Sequence, residues 1–167
     1  MEKSYSNSIV NISQTLYKHG VAFLVVGGAA VGFHGYARPS MESGGNKSEK
    51  PDFDFWYNPT YDNYYRLLNA IEDFGVDVSR YRAEKSPKPK SSFFKFEIPE
   101  CFIDFLPALQ SPVKFKNAFL AREIITLQEV EIPFIGLNEL LQDKQINPRE
   151  KDLPDIEMLK KIKGLIP

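Results

Sequence analysis

The stretch 24-LVVGGAAVGFHGYARPS-40, followed after eleven further residues by 52-DFDFW-56, decides how this chain is read. The apolar, partly branched run 22-AFLVV-26 suits a buried strand. Gly27-Gly28 breaks it, and 29-AAVGFHGY-36 has the small residues of a short helix packed closely on a sheet. A strand that ends in glycines and enters a helix exposes backbone N–H groups with no intrahelical partner. Together with the helix dipole these favour a phosphate, and glycine lets it approach without a Cβ in the way. The segment matches neither the P-loop G-x-x-x-x-G-K-S/T nor the dinucleotide fingerprint G-x-G-x-x-G. Taken alone, Gly-Gly after a strand is more commonly a plain tight turn.

The second half of the stretch raises a charge problem. Strand side chains alternate faces, so Asp52 and Asp54 point one way while Phe53 and Phe55 point the other. Asp104 repeats the pattern in 102-FIDFL-106, opposite Ile103 and Phe105. Aspartate is depleted in strands and is rarely buried without a partner. Three such carboxylates within about 4 Å would repel by roughly 4 kcal/mol per pair at an effective dielectric near 20. They would need a proton, a basic partner or a cation. Oxygen-only ligands favour Mg²⁺ or Mn²⁺ over zinc. A salt bridge to lysine or arginine is the plainer explanation of any one of them.

Outward from this centre the chain alternates helices and strands. Ile9, Ile12 and Leu16 recur at helical spacing before Gly20. Residues 39–51 are rich in Gly, Ser, Lys and Glu and read as a mobile loop. Thr60 is placed to cap a helix with Tyr64, Leu67, Leu68 and Ile71 on one stripe, ended by Gly75. Beyond the basic loop 84-EKSPKPKSS-92, two hairpins are expected, 93–98 with 101–106 and 123–127 with 130–135. Helices are expected over 138–146 and from Asp152, which is placed to cap the Asp155 amide. The order implies one α/β (α+β) domain over 1–167, a mixed sheet flanked by helices.

Bulk properties exclude little. The chain has 167 residues, a net charge of −1 and one cysteine, Cys101. A balanced charge gives no general pull toward nucleic acid or an anionic membrane, although a local basic groove stays open. No run is long enough to span a bilayer, and no leader is evident at the N-terminus, so a cytoplasmic location is expected. A lone cysteine forms no intrachain disulfide.

Taken as a set, VVGGAAVGFHGYARPS, DFDFWYNPTYDNYYRLLNAIEDFG and FIDFLP resemble the polymerase-beta-type nucleotidyltransferase superfamily. The likeness is strongest to its small bacterial stand-alone domains related to minimal nucleotidyltransferases, to antibiotic nucleotidyltransferases and to antitoxin-like enzymes, and 138-NELLQDKQINPREKDLPDIEML-159 is similar to the C-terminal region of these small members. The resemblance implies that Gly27 and Gly28 hold a nucleoside triphosphate. It implies that Asp52, Asp54 and Asp104 bind Mg²⁺ (or Mn²⁺), with Asp104 also helping to deprotonate the attacking hydroxyl. Arg38, Lys144, Arg149 and Lys151 are then candidates for neutralising phosphate charge.

The implied reaction transfers an NMP from an NTP, ATP by preference, to a hydroxyl acceptor by a two-metal mechanism. A protein partner or a homodimer would complete the acceptor site, and nucleic acid is left open as a partner. The alternatives are a catalytically inactive nucleotide- or partner-binding domain of the same fold and a metal-dependent phosphohydrolase. The insertion at 41–51 departs from the family pattern, in which Arg-Pro-Ser runs almost directly into Asp-x-Asp. His34, Trp56 and the tyrosines at 57, 61, 64 and 65 read first as packing residues. The stretch 85-KSPKPK-90 reads first as a solvated loop.

Overall fold

A computed structural model describes residues 3–35 and 50–167. Arg38 and residues 41–49 of the insertion therefore lie outside the described residues. The elements in chain order are α1 (Lys3–Lys18), β1 (Phe23–Val26), α2 (Gly27–Phe33), β2 (Asp52–Tyr57), α3 (Tyr61–Asp73) and α4 (Ser79–Arg82). They continue with β3 (Phe94–Ile98), β4 (Cys101–Leu106), α5 (Phe115–Leu120), β5 (Glu123–Leu127), β6 (Val130–Phe134), α6 (Leu137–Gln145) and α7 (Leu153–Lys163). The strands form one sheet in the order β3-β4-β2-β1-β6-β5. β2 runs parallel to β4 and β1 parallel to β6, while β1–β2, β3–β4 and β5–β6 are antiparallel. The mixed sheet and both hairpins are as the sequence implies.

Alternation divides the core into two layers. Phe53, Phe55, Tyr57, Ile103 and Phe105 are fully buried against the apolar stripes of α1 and α3. On the other face Leu24, Val26 and Trp56 pack against α2, α5, α6 and α7 through Ala30, Phe115, Leu140 and Leu159. This second layer leaves Asp54 and Asp104 only half-covered.

The helix stops follow from local chemistry. Thr60 caps α3 by accepting from the Asn63 amide at 3.2 Å, and Gly75 closes the helix at φ +90°, where a side chain would be strained. Two short helices, α4 and α5, have no strong sequence signal. α5 has no capping side chain and is held by burying Phe115 and Ala118. Asp152 does not cap α7 as expected. Its carboxylate instead accepts from the Arg149 amide at 2.9 Å, ending a 3₁₀ turn at 150–152, and Pro154 occupies the first turn of α7.

Asn63 ties α3 to both sides of the β1–β2 pair. Its Oδ1 accepts from the Ala22 amide at 2.8 Å, and its Nδ2 donates to the carbonyls of Ala22 and Asn58 at 3.0 and 2.8 Å. Asn63→Ala strands these backbone groups and should cost about 3 kcal/mol, since each unsatisfied buried group costs about 1–3 kcal/mol. The measurement is the urea midpoint at constant m-value; an unmoved midpoint would show that the bridge contributes nothing.

Candidate active site

The parallel pairing of β2 with β4 sets Asp54 directly beside Asp104. Neighbouring strands lie about 4.8 Å apart, so the two carboxyls rise side by side from one face. Phe53, Phe55, Ile103 and Phe105 hold that register from beneath, because a slip by one residue would drive the aspartates into the core. Asp52 opens β2, exposed and opposite Phe102. Among the described residues, no three His, Cys, Asp or Glu side chains are gathered tightly enough to hold an ion between them. Asp54 and Asp104 are thus the closely set pair, with Asp52 at the rim.

Gly27 is required by this pair. It sits at φ +65°, and a Cβ placed on it would lie 2.3 Å from Oδ2 of Asp54. Any side chain there would be strained and would collide with the carboxylate. The register explains why, since Val26 pairs with Asp54 at the point where β1 turns into α2. Sequence reasoning weighed the glycines as a plain tight turn or a phosphate cradle and missed this contact. An aspartate two positions along a paired strand was the available signal, but the pairing is needed to read it.

Burial, with Asp104 and then Asp52 adding repulsion, pushes the Asp54 carboxyl up from 3.8 to about 6; Lys151 and Lys144 pull the other way. Asp104 is also raised, first by burial and then by Asp52. It is restrained by Lys95 and by a hydrogen bond with Asp54. The Lys95 ammonium stands 3.7 Å from Oδ2 of Asp104. The pair therefore takes up a proton more readily than ordinary carboxylates do, and a cation would compete for the same place.

Of the C-terminal cations, Lys151 and Lys144 act on Asp54, and the three do not act alike. Lys144 is one-tenth exposed and holds Asp152 at 3.3 Å and Asp155 at 3.1 Å, the latter fully buried. Arg149 reaches the other oxygen of Asp152 at 3.2 Å. Lys151 is exposed and is the first-ranked cation acting on Asp54.

His34 packs as expected of a structural histidine: its ring nitrogens meet the Ile135 carbonyl at 2.8 Å and Glu123 at 3.0 Å. Trp56, Tyr57 and Tyr64 are core residues, whereas Tyr61 and Tyr65 are exposed. A cleft of about 590 Å³ lined by Gln14, Tyr17, Thr126, Glu129, Val130 and Glu131 lies away from the aspartates. It is wide and shallow, and the carboxyl pair is the stronger mark of chemistry.

No family model matches the sequence, and no curated relative matches it. Solved structures do. The lincosamide antibiotic adenylyltransferase LnuA, lincomycin-bound, aligns over 97% of this chain and 98% of its own at 18% identity, with a TM-score of 0.59. The chain has the nucleotidyltransferase fold. The antibiotic-resistance factor ANT(2'')-Ia aligns over 99% of this chain and 87% of its own, at 14% identity and TM-score 0.61. An antigenic nucleotidyltransferase-like protein from Paracoccidioides brasiliensis aligns over 98% of this chain and 77% of its own, at 14% identity and TM-score 0.59. The fold shared with these nucleotidyltransferase structures therefore extends over nearly the whole chain.

Two outcomes follow from this geometry. Because the folded state holds the Asp54 proton more tightly than the unfolded chain, stability falls as pH rises from 3.8 through about 6. The gap corresponds to about 3 kcal/mol. In EDTA, Asp54→Asn should melt above wild type at pH 8 and lose that advantage below pH 4; equal melting at pH 8 would remove the raised Asp54 carboxyl. Lys144→Met removes the cation that the buried Asp152 and Asp155 share and should lower stability by about 3–5 kcal/mol. A loss below about 1 kcal/mol in denaturant titration would show that Lys144 is an exposed-type pair.

Proposed function

We propose that this chain is a nucleotidyltransferase that moves a nucleoside monophosphate from an NTP, ATP being the first candidate, to a hydroxyl acceptor. The carrying observation is the Asp54–Asp104 pair set side by side on parallel strands with Gly27 against it. Oxygen-only donors whose carboxyls are both raised fit Mg²⁺ or Mn²⁺, held by Asp54 and Asp104 with Asp52 as the further donor at the rim. When bound, such an ion neutralises charge on the triphosphate and on the entering and leaving oxygens.

The chain's own residues supply the rest. The Gly27–Gly28 turn admits the triphosphate close to the backbone, and Lys151 adds a cation on the Asp54 side, backed by Lys144. Arg38 is a further candidate from the sequence. Asp104 accepts the proton of the acceptor hydroxyl. The acceptor oxygen forms a bond to the α-phosphorus as the bond from that phosphorus to the β-bridging oxygen breaks. Pyrophosphate leaves with that electron pair. A protein partner or a second copy of the chain would complete the acceptor site. Among the described residues no helix is long and apolar enough to cross a membrane.

The test is thermal stability with Mg²⁺ and each NTP, followed by release of pyrophosphate. At 100 times its dissociation constant an NTP adds about 2.7 kcal/mol, on the order of 5–10 °C for a chain of this size. Wild type should show this rise with metal and one NTP together, and Gly27→Val should lose it. Asp54→Asn and Asp104→Asn should each slow turnover roughly a thousandfold, or about 4 kcal/mol of barrier. No response to any NTP would overturn the assignment. Binding without turnover for any acceptor would instead mark a silent nucleotide-binding domain.

A further inference from the structure

The sheet ends in β3 on one side and β5 on the other, and the two edges differ in chemistry. Pro133 of β6 stands opposite Ile124 of β5 and has no N–H to give. The two-residue turn Gln128-Glu129, both residues at positive φ, closes on the pair Leu127–Val130. Antiparallel ladders alternate bonded and unbonded pairs, and both marks fix the same phase. Glu123, Ile125 and Leu127 bond to β6, so the N–H and C=O groups of Ile124 and Thr126 turn outward. Ile124 is 49% exposed, and Thr126 is exposed as well.

Natural sheets blunt such an edge with lysine, proline, a bulge or a covering element. The run 124-IITL-127 has no charge and no proline, and its pairing with β6 runs without a bulge. On β3 the same phase argument turns Lys95 and Glu97 outward, and their side chains are engaged by Asp104 and Lys50. Of the two edges, β5 is the unguarded one.

The charges at the ends of β5 indicate what fits it. Arg122 precedes the strand and Glu129 follows it, and neither has an ion-pair partner among the described residues. An antiparallel copy of β5 brings opposite ends together, so each Arg122 meets the Gln128-Glu129 turn of the other copy. The outward groups sit on even-numbered residues, so only registers that pair even with even close the ladder. With a two-fold axis through Ile125, Ile124 faces Thr126, Arg122 faces Gln128, and no like charges face each other. An axis through Thr126 would set Glu123 against Glu129. An axis through Ile124 would set Glu123 against the apolar Ile125 and carry Arg122 away from the turn.

We propose that β5 pairs antiparallel with β5 of a second copy of this chain, about a two-fold axis through Ile125. Two six-stranded sheets then become one. Each facing Ile124–Thr126 pair exchanges two backbone hydrogen bonds. The contact is isologous, so it uses up β5 in both copies and closes at a dimer. Asp54 lies three strands in from β5, which sets the two Asp54 carboxyls seven strand spacings apart, about 34 Å. The dimer leaves both acid pairs open and does not rest on the transferase assignment.

The test is the mass of the full chain by light scattering across a dilution series. Wild type should approach twice 19.1 kDa and fall toward 19.1 kDa on dilution. Thr126→Pro removes an outward N–H at an edge position that tolerates proline, and should weaken the dimer at least about tenfold. Arg122→Glu should also weaken it, and adding Glu129→Arg should restore it. Ile125→Cys reports the register, because the axis sets its two copies in an unbonded pair with Cα atoms about 4.5 Å apart, within disulfide range. Mild oxidation should lock Ile125→Cys as a covalent dimer and leave Ile124→Cys unlinked. Cys101 is buried, so wild type should stay unlinked too. Wild type and Thr126→Pro should show the same NTP-dependent thermal rise.

A monomer at every concentration would overturn the pairing. So would a dimer that Thr126→Pro leaves intact and Ile125→Cys does not lock. A monomer whose Ile124 and Thr126 amides resist hydrogen exchange would assign the edge to a segment of the same chain and overturn it as well. A dimer with no response to any NTP would keep the pairing and remove only the transferase assignment.

Discussion

Two carboxyls that repel each other are held side by side by the strands beneath them. In this chain everything near the site accommodates that placement. At an effective dielectric near 20 and one strand spacing, the repulsion is roughly 3–4 kcal/mol when both are charged. On the opposite face of the same two strands, Phe53, Phe55, Ile103 and Phe105 are fully buried. Each contributes about 1.5–3 kcal/mol, so together they outweigh the repulsion and set the register. Burial first, and this repulsion second, raise the Asp54 carboxyl.

The same constraint reaches the neighbouring elements. Gly27 has no room for a side chain because the Asp54 carboxylate occupies that space. The glycine turn is therefore also the wall of the acidic pair. On the far side, Lys95 of β3 approaches Asp104 from the edge strand. The sheet's order, with β2 and β4 adjacent and parallel, brings carboxylate, glycine and lysine from three separate segments to one place.

The C-terminal region shows how charge can be divided between structure and chemistry. Lys144 is enclosed by Asp152 and Asp155 and fastens the turn at 150–152 to α6 and α7. Lys151, on that same turn, stays exposed. A cation already enclosed by two carboxylates is a poor match for a triphosphate, while an exposed one on a rigid turn is a good one. The sequence offers both as equivalent lysines, and only their burial separates them.

What the sequence by itself determined is local and periodic. Alternation in DFDFW and FIDFL assigned the aspartates to one face each, the helical stripes of α1 and α3 declared themselves, and Thr60 and Gly75 bounded α3. The motif set was enough to indicate the architecture. The tertiary structure alone decided which strands lie together, because parallel β2–β4 pairing joins residues about fifty positions apart that no local pattern couples. It also decided that Gly27 abuts Asp54, that Asp152 binds Arg149 instead of capping α7, and that the basic segment before β3 is anchored by Tyr57. Hydrophobic periodicity says which way a side chain points. Long-range packing says what it meets there, and the chemistry of this chain depends on the second.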